Sequence, residues 1–535
     1  MAQGSAARPR LILAKRCASA VLAAFVGACS MIGPDFVTPK SDVADNWVTK
    51  DAQRISDTRP RDAAWWKAFS DPALDRLIGL AYKQNLDLRQ AGVNVLQARA
   101  QLGAAIGEEY PQQQQASGQL GYNNRGRNDS TVLPFGSTDT SYSTLRYGLT
   151  STWEVDFWGK FRRAVESADE NFLASISNYD AALVSLTATV ASTYVNIRTL
   201  EARLKVLGEN VAAQEGNLQI AKTRFEAGET SERDVTQAVS QLGDTQAQIP
   251  PVEVSLAQAK HSLAVLLGMS PAGLEAALTG DGPIPKAPQE VAVGIPRDLL
   301  RRRPDVRRAE HLAAAESALI GATEADLYPA FSLSGTFGFS STDIARRSLG
   351  DAFTWNGHVF SIGPAVQWNL FNYGQITNQV RAQDAQFQAA VLTYQNAVLQ
   401  AQREVEDALV AFLKADDAVG YLEKAVAASK RGLELSVIQY RNGATDFTTV
   451  LTTEQALLRQ QDQLTIARGN VPQSLISVFQ ALGGGWQIRQ DNDFVPQETK
   501  DEMKERTDWG DLLEVKTHAP PTPEERDALF RKPSW

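Results

Sequence analysis

The stretch ALIGATEADLYPAFSLSGTFGFSS, residues 318–341, changes character in its middle. Up to Leu327 it is made of good helix formers, whereas from Phe331 onward apolar and polar residues alternate. That alternation is the period of a β-strand wetted on one side. The switch falls at Tyr328-Pro329, because proline disfavours helix at the preceding residue and cannot donate to a helical ladder. A second such switch, ARAQLGAAIGEEYPQQQQASGQLGYN at 98–123, lies 218 residues earlier, with Tyr110-Pro111 at its junction.

Outward from these junctions the chain proves to be a twofold repeat, the first thing to look for in a long sequence. WEVDFWGK (153–160) matches WNLFNYGQ (368–375) at an offset of 215, and Tyr179 matches Tyr394 at the same offset. Phe225-Glu226-Ala227-Gly228 matches Tyr440-Arg441-Asn442-Gly443, again 215 residues on. The repeats are placed at 74–278 and 298–484, joined by a Pro- and Gly-rich linker at 279–297. Each has the same order: a helix ending at Tyr-Pro, two alternating segments, then very long helical sequence.

The alternation assigns faces. In 145–157, Leu145, Tyr147, Leu149, Trp153, Val155 and Phe157 share one side, and Arg146, Thr150, Thr152, Glu154 and Asp156 the other. In 331–340, Phe331, Leu333, Phe337 and Phe339 oppose Ser332, Ser334, Thr336 and Ser340. In 360–370, Phe360, Ile362, Val366, Trp368 and Leu370 oppose Ser361, Gln367 and Asn369. The segment after Tyr110-Pro111 is weaker, with Ala116, Gly118, Leu120 and Tyr122 against Ser117 and Gln119. A soluble antiparallel sheet over a core would alternate likewise. Two features favour lipid on the apolar side: the segments reach the roughly 9–11 residues that cross a bilayer on a tilt, and aromatic residues gather near their ends as in membrane girdles. Four strands are too few to close a barrel, about eight being the smallest number found. An open edge in lipid leaves backbone groups unsatisfied at several kcal/mol each. A membrane barrel would therefore be shared, two, three or four copies giving eight, twelve or sixteen strands.

From Gly159 to about Phe225, and from Gly374 to about Tyr440, the chain is rich in Ala, Leu, Val, Gln, Glu and Arg. At 1.5 Å per residue each stretch reaches about 100 Å as helix. AGETSERD (227–234) and NGATDFTT (442–449) break these helices with glycine and N-cap residues and read as tight turns. Return helices are expected over 232–268 and 446–482, interrupted at Pro250-Pro251 and at Pro472.

Residues 1–28 are not fold sequence. Arg8, Arg10, Lys15 and Arg16 precede the apolar run AVLAAFVGA (20–28), the layout of an export signal. Val26-Gly27-Ala28-Cys29 has the form of a lipobox, which would make Cys29 the lipid-modified first residue of the mature chain, with Ser30 rather than Asp behind it. The only other cysteine, Cys17, would leave with the signal, so no disulfide forms within the mature protein. Loss of four basic residues would take the formal charge from −9 to −13, which argues against nucleic acid or anionic lipid surfaces as partners.

Together the lipobox, the duplicated halves, WEVDFWG (153–159), LLRRRPDVRRAEHLAAA (299–315) and ALGGGW (481–486) resemble the TolC/NodT-type outer-membrane channel lipoproteins of tripartite efflux pumps, over about residues 29–487. The resemblance implies a mixed α and β membrane protein: a homotrimer whose twelve strands, four per chain, form one outer-membrane barrel continued by a long periplasmic α-helical barrel. It implies a passive exit duct for drugs or other small molecules in the Gram-negative outer membrane, anchored in lipid through Cys29. Residues 29–73 and 279–297 would belong to an equatorial belt, with 485–535 a charged tail. The partners implied are a periplasmic adaptor and an inner-membrane resistance-nodulation-division transporter. Adaptor docking would fall at the helical turns, at Arg224, Phe225, Gly228, Tyr440 and Gly443. Polar links near the turns would close the periplasmic tip, the candidates being Glu232, Asp234, Asp446, Thr448, Thr452 and Glu454. Thr452 stands where relatives often carry Asp, and Gln439 where they often carry Arg. No catalytic residue, cofactor or metal is implied. In keeping with that, the four histidines, His261, His311, His358 and His518, lack metal-ligand spacing, and no GxSxG, P-loop or dinucleotide fingerprint occurs. The competing class is a periplasmic helical scaffold or adaptor with no barrel.

Overall fold

The computed structural model describes residues 31–49, 55–56, 62–124, 140–278, 282–288, 291–292, 302–344, 347–489 and 492–513. Cys29 and the export signal lie outside the described residues. In chain order the main elements are strand β1 (Ile55–Ser56), helices α1 (Pro72–Gln84) and α2 (Leu86–Gly107), strands β2 (Gln113–Asn124) and β3 (Ser141–Val155), and helices α3 (Lys160–Glu226), α4 (Glu232–Gln246) and α5 (Ile249–Leu266). They continue with β4 (Val291–Ala292), α6 (Pro304–Glu324), β5 (Ala330–Thr342), β6 (His358–Gln367), α7 (Gln375–Arg441), α8 (Phe447–Ala481) and α9 (Gln497–Arg506). Strands β2-β3-β5-β6 form one antiparallel sheet in that order, while β1 pairs in parallel with β4.

The repeat is an internal symmetry of the fold. Helices α3 and α7 both have 67 residues, and each follows a left-handed glycine, Gly159 (φ 83°) or Gly374 (φ 82°). At 1.5 Å per residue each is about 100 Å long. The Tyr-Pro junctions are tied identically: Trp153 Nε1 donates to the Glu109 carbonyl at 3.2 Å and Trp368 Nε1 to the Leu327 carbonyl at 3.0 Å. In each case the indole caps the carbonyl just before the Tyr-Pro tyrosine, so that this backbone group keeps a partner where the helix stops.

Several expected boundaries shift. The first helix is two, broken at Asn85, whose side chain accepts from the Leu88 N–H at 2.8 Å and starts α2 as its N-cap. The first return helix restarts at its proline pair, α4 ending at Gln246 and α5 beginning at Ile249. The second does not: α8 runs unbroken through Pro472, which is buried. One lost hydrogen bond there is tolerated inside a packed helix pair, where Gln473 bridges to α3 through its amide, accepting from Ser192 Oγ at 2.6 Å and donating to the Ser192 carbonyl at 2.7 Å. Trp368 and Leu370 lie beyond the end of β6, and Phe157 beyond β3.

The four long elements of the helical region pack side by side in the order α4–α5, α3, α8, α7. The main core lies at mid-height, where Trp47, Trp65, Trp66, Phe69, α1 and α2 cover α3. Residues 492–513 pack there too, with Phe494, Val495, Met503 and Leu513 buried.

Candidate functional site

Register decides which side chains share a face of the sheet. Leu149 pairs with Phe337, and Phe337 with Phe360; Trp153 pairs with Leu333; Val155 pairs with Phe331, and Phe331 with Val366. The apolar residues are thus in register across three strands. The same pairing lines up Thr150 with Thr336 and Ser361, and Thr152 with Ser334, on the opposite face. Among the described residues nothing covers the middle of the apolar face: Leu149, Leu120, Phe360, Ile362 and Val366 are each at least 60% exposed. Contiguous apolar exposure on this scale marks an interface or a membrane. On the polar face Gly148 opposes Gly338, and a Cβ on Gly148 would stand 2.6 Å from the Gly338 Cα, so the backbones approach too closely there for any other residue.

Aromatic rings gather at both ends of the sheet. At the helical end, Trp158 packs on Tyr328 with centroids 4.9 Å apart, and Phe157 on Phe331 at 5.2 Å. At the far end are Tyr147, Phe339, Phe353 and Trp355. The outer strands β2 and β6 have one partner each, so two strand edges are left unpaired in the single chain.

About 100 Å away, the two hairpin turns meet each other. Gly228 (φ 74°) and Gly443 (φ 70°) end α3 and α7 in the left-handed conformation. Their surroundings are held by a small core of Ala221, Ala238, Tyr440, Phe447 and Val450. Tyr440 OH donates to Asp234 Oδ2 at 3.2 Å, and the Arg224 guanidinium lies 4.8 Å over the Tyr440 ring and donates to the Tyr440 carbonyl. Thr230 also donates to Asp234, which is buried. Burial raises the Tyr440 hydroxyl above its ordinary pKa, so it stays a donor to the carboxylate.

The expected tip residues therefore separate. Asp234 and Glu454 are buried, whereas Glu232, Asp446, Thr448 and Thr452 are exposed. Asp446 caps α8 by accepting from the Thr449 N–H at 3.2 Å, and Thr452 Oγ1 donates to the Thr448 carbonyl at 2.8 Å. Of the turn residues, Arg224 and Tyr440 face into the contact; Phe225 is 44% exposed, and the space around Gly228 is open.

A polar seam between α3 and α8 was not read from the sequence. Arg203 forks onto Asp462 at 2.7 and 3.1 Å, Asn210 donates to Gln461 at 2.8 Å, and Asn217 donates to Glu454. Alternate burial by a partner helix is not legible in one helix's polar residues. At belt height Asp180 on α3, fully buried, accepts from both Arg307 at 2.7 Å and Arg489 at 3.1 Å. Arg303 donates to the Ala481 carbonyl at 2.6 Å, closing the end of α8, and forks onto Asp305. The RRRPDVRRAE stretch thus pins three helices together. His311 sits 2.7 Å from Glu170 on α3 and is a packing histidine. Among the described residues no group of acidic, histidine or cysteine side chains is arranged to hold a metal. No described helix is long and apolar enough to cross a membrane.

The family model "Outer membrane efflux protein" matches residues 77–269 and 295–484. The toluene efflux pump outer membrane protein TtgC of Pseudomonas putida is 30% identical over 472 residues, 87% of this chain and 95% of that one. Nodulation protein T of Rhizobium leguminosarum is 28% identical over 473 residues, 88% and 94% of the two chains. Among solved structures the outer-membrane channel OprN superposes with a TM-score of 0.78 at 29% identity, covering 85% of this chain and 99% of its own. The Campylobacter jejuni CmeC outer membrane channel, at 22% identity, shares the fold with a TM-score of 0.79, over 89% of this chain and 98% of its own.

Proposed function

The chain belongs to the outer membrane efflux protein family and is the outer-membrane channel of a tripartite efflux system, and from that premise we propose how its parts divide the work. It is a passive duct, not an enzyme. Channels of this family assemble as trimers and operate with a periplasmic adaptor and an inner-membrane transporter. Three copies of a four-stranded sheet give the twelve-stranded barrel, in which the unpaired edge of β6 in one copy meets that of β2 in the next, and no backbone group is left bare to lipid. The observation that carries this reading is the uncovered apolar face, in register across the strands and bounded by aromatic rings at both ends. A periplasmic scaffold would have no use for it.

The residue-level assignments follow. Lipid on Cys29 would anchor the chain to the periplasmic leaflet. In support, the Ile32 N–H donates to the Trp158 carbonyl at 3.0 Å, which fixes the start of the described chain beside the inner aromatic girdle. A lipid so placed would lie close to the membrane surface, since three residues span about 10 Å at most. One acyl chain is a marginal anchor by itself, and the barrel supplies the rest. The tip is held shut by the Asp234–Tyr440–Arg224 contact, with Glu454 as a second link and Glu232, Asp446, Thr448 and Thr452 lining the mouth. Phe225, Gly228 and Gly443 present the outward surface of the turns to the adaptor, while Arg224 and Tyr440 shape it from within. A transporter of the resistance-nodulation-division type drives the export.

The test is the mass of the protein purified in detergent from outer membranes, native and denatured. A trimer whose subunit begins at a triacylated Cys29 is the expected result. A water-soluble monomer would overturn the barrel, and a trimer with an unmodified N-terminus would overturn the lipid anchor alone.

A further inference from the structure

Inside one chain the second strand of the first repeat, β3, pairs with the first strand of the second repeat, β5. The other junction between repeats, β6 with β2, takes a second copy, and the chain carries a template for it. GQLG (118–121) of β2 matches GTFG (335–338) of β5 at an offset of 217, and Gly148 of β3 matches Gly363 of β6 at 215. The observed pairing agrees with both offsets: Ala116 pairs with Leu149, and their equivalents Leu333 and Pro364 pair with each other. At the β3–β5 junction Gly148 opposes Gly338, and neither has room for a side chain. A Cβ on Gly338 would stand 2.5 Å from the Tyr147 carbonyl oxygen and 2.9 Å from the Gly148 Cα. Beside the glycines Tyr147 stacks on its cross-strand neighbour Phe339, with centroids 5.5 Å apart. Just past the helical end of β3, Trp158 Nε1 donates to the Pro329 carbonyl at 2.9 Å.

The outer strands hold the equivalent residues without the contacts that explain them. Around Gly363 a Cβ would meet nothing within 4 Å, and its backbone is not left-handed. A glycine inside a strand costs stability and marks a place where another backbone comes close. Tyr373, the equivalent of Trp158, is 100% exposed. We propose that β6 joins the partner's β2 in one fixed register, the one β3 keeps on β5. Gly363 then opposes the partner's Gly121, Ile362 opposes the partner's Tyr122, and Tyr373 covers the junction at the partner's Tyr110 and Pro111. The proposal rests on the shared-barrel reading and adds the stagger at which the barrel closes. Faces agree in this register, since Ile362 and Tyr122 both belong to the apolar side; a slip of one residue would set apolar side chains against the lumen. A slip of two would place Gly363 against the partner's Gln119 or Asn123 and forfeit the close glycine contact. A barrel closes at a fixed shear, so repeating the inner junction at the outer one gives every strand the same environment.

The experiment is disulfide trapping in outer membranes. Strands β2 and β6 lie at opposite edges of the sheet, so a disulfide between them joins two copies. Cys17 and Cys29 are the only native cysteines, and wild type supplies the background. Ile362→Cys/Tyr122→Cys and Ser361→Cys/Asn123→Cys are successive pairs of the proposed ladder, one of which is the closer, non-hydrogen-bonded kind. After mild oxidation at least one of them should run as a covalent trimer on a denaturing, non-reducing gel. Its yield should exceed by fivefold or more those of Ile362→Cys/Leu120→Cys and Ile362→Cys/Asn124→Cys, which report slips of two residues in either direction. A stronger signal from either slipped pair would overturn the register, as would an intact trimer that neither proposed pair joins. Should the cysteine variants fail to assemble, single substitutions decide. Gly363→Val should cut trimer yield at least fivefold relative to Ser361→Val on the same face, and equal yields would overturn the proposal. A trimer in another register sinks this proposal alone, whereas a wild type that purifies as a water-soluble monomer sinks the function reading beneath it.

Discussion

Helices α3 and α7 have the same length, the same glycine before them and an offset of 215 residues throughout, yet they keep different company. At Asp180 of α3 a double arginine clamp closes a fully buried site, from Arg307 on α6 and Arg489 beyond α8. The equivalent of Asp180 on α7 is Gln395, which donates to the Lys40 carbonyl of the N-terminal segment at 3.0 Å. Seven residues on, Thr187 of α3 is buried, and its equivalent Gln402 donates to the Asp42 carbonyl at 2.8 Å and accepts from the Ala44 N–H at 3.0 Å. Glu406 then accepts from the Val48 N–H at 2.6 Å. Both helices pack on α6 and α8, but α3 is further walled in by α2, α4 and α5, whereas α7 is strapped there by an extended segment and keeps an exposed stripe. Its exposed apolar residues Leu392, Leu399, Val410 and Tyr421 recur at spacings of seven and eleven, which keeps them on one stripe. The shared length and caps come from closing one duct with two unlike halves; the flanks record that the ends of the chain occur only once per two repeats.

The comparison is broken most severely at the clamp. Asp180→Ala leaves the buried Arg489 guanidinium and the partly buried Arg307 one without their carboxylate, a loss of about 3–5 kcal/mol. Gln395→Ala removes one neutral bond to an extended segment and costs about 1 kcal/mol. Chemical unfolding in detergent, followed by helical circular dichroism, measures both. Equal losses would mean that the strap matters as much as the clamp, and the two flanks would no longer be unlike in kind.

The sheet should behave in the opposite way, treating the two repeats alike. Leu149 on β3 and Phe337 on β5 are paired neighbours on the apolar face, one from each half. An arginine at either lies in the bilayer and costs about 2–4 kcal/mol. Thr150→Arg or Thr336→Arg, one residue along and facing the lumen, costs far less. Trimer yield in the outer membrane separates the two classes. If Leu149→Arg were tolerated and Phe337→Arg were not, the halves would not share one medium.

Much of this was legible in residues that repeat. The Tyr-Pro junctions, the matching glycines at 159 and 374 and the apolar alternation placed four strands and two long hairpins before any coordinates, because each is a local property with a fixed period. Tyr440 and Asp234 were named separately as turn and tip residues, but their bond spans 206 positions and no local pattern predicts it. Pro472 was misleading because a helix held by a packed neighbour survives a defect that an isolated one would not. The arginines of RRRPDVRRAE read as a family signature, and only folding brings Arg307 together with Arg489 and Asp180. Glu454 was named as a tip candidate, but the rest of the α3–α8 seam was missed since Asn210, Asn217 and Asp462 look like solvated helix residues until a second helix covers them.

At the tips the halves touch, and a smaller substitution sharpens the contrast. Tyr440→Phe keeps the ring over Arg224 and its place in the local core, but removes the donor to Asp234. The loss is about 1 kcal/mol per protomer, roughly a fivefold shift toward parted hairpins at each tip. Planar-bilayer recordings should show more frequent or longer openings. Unchanged gating with unchanged stability would remove this contact from the closing machinery.

The smallest effect is a slope in pH. Glu454 is 4% exposed, and burial raises its pKa above the ordinary carboxylate value, outweighing the hydrogen bond from Asn217, which acts the other way. A carboxyl whose folded pKa is raised binds its proton more tightly in the folded state, so its contribution to stability is fully present below the unfolded pKa, about 4.3. That contribution is lost as pH climbs through the folded value, because the charged form must then be held in a site that disfavours charge. The α3–α8 seam should therefore loosen modestly from mildly acidic to neutral pH, at the level of Asn217 and away from the Asp180 clamp. Glu454→Gln keeps an oxygen that accepts from Asn217 and has nothing to titrate, so it should flatten this part of the profile and equal or exceed wild type at neutral pH. Melting temperatures of both proteins across mildly acidic to neutral pH decide the matter. Parallel curves would mean that Glu454 is reached by water in the assembled channel, and the seam would then owe its weakness to something other than a buried charge.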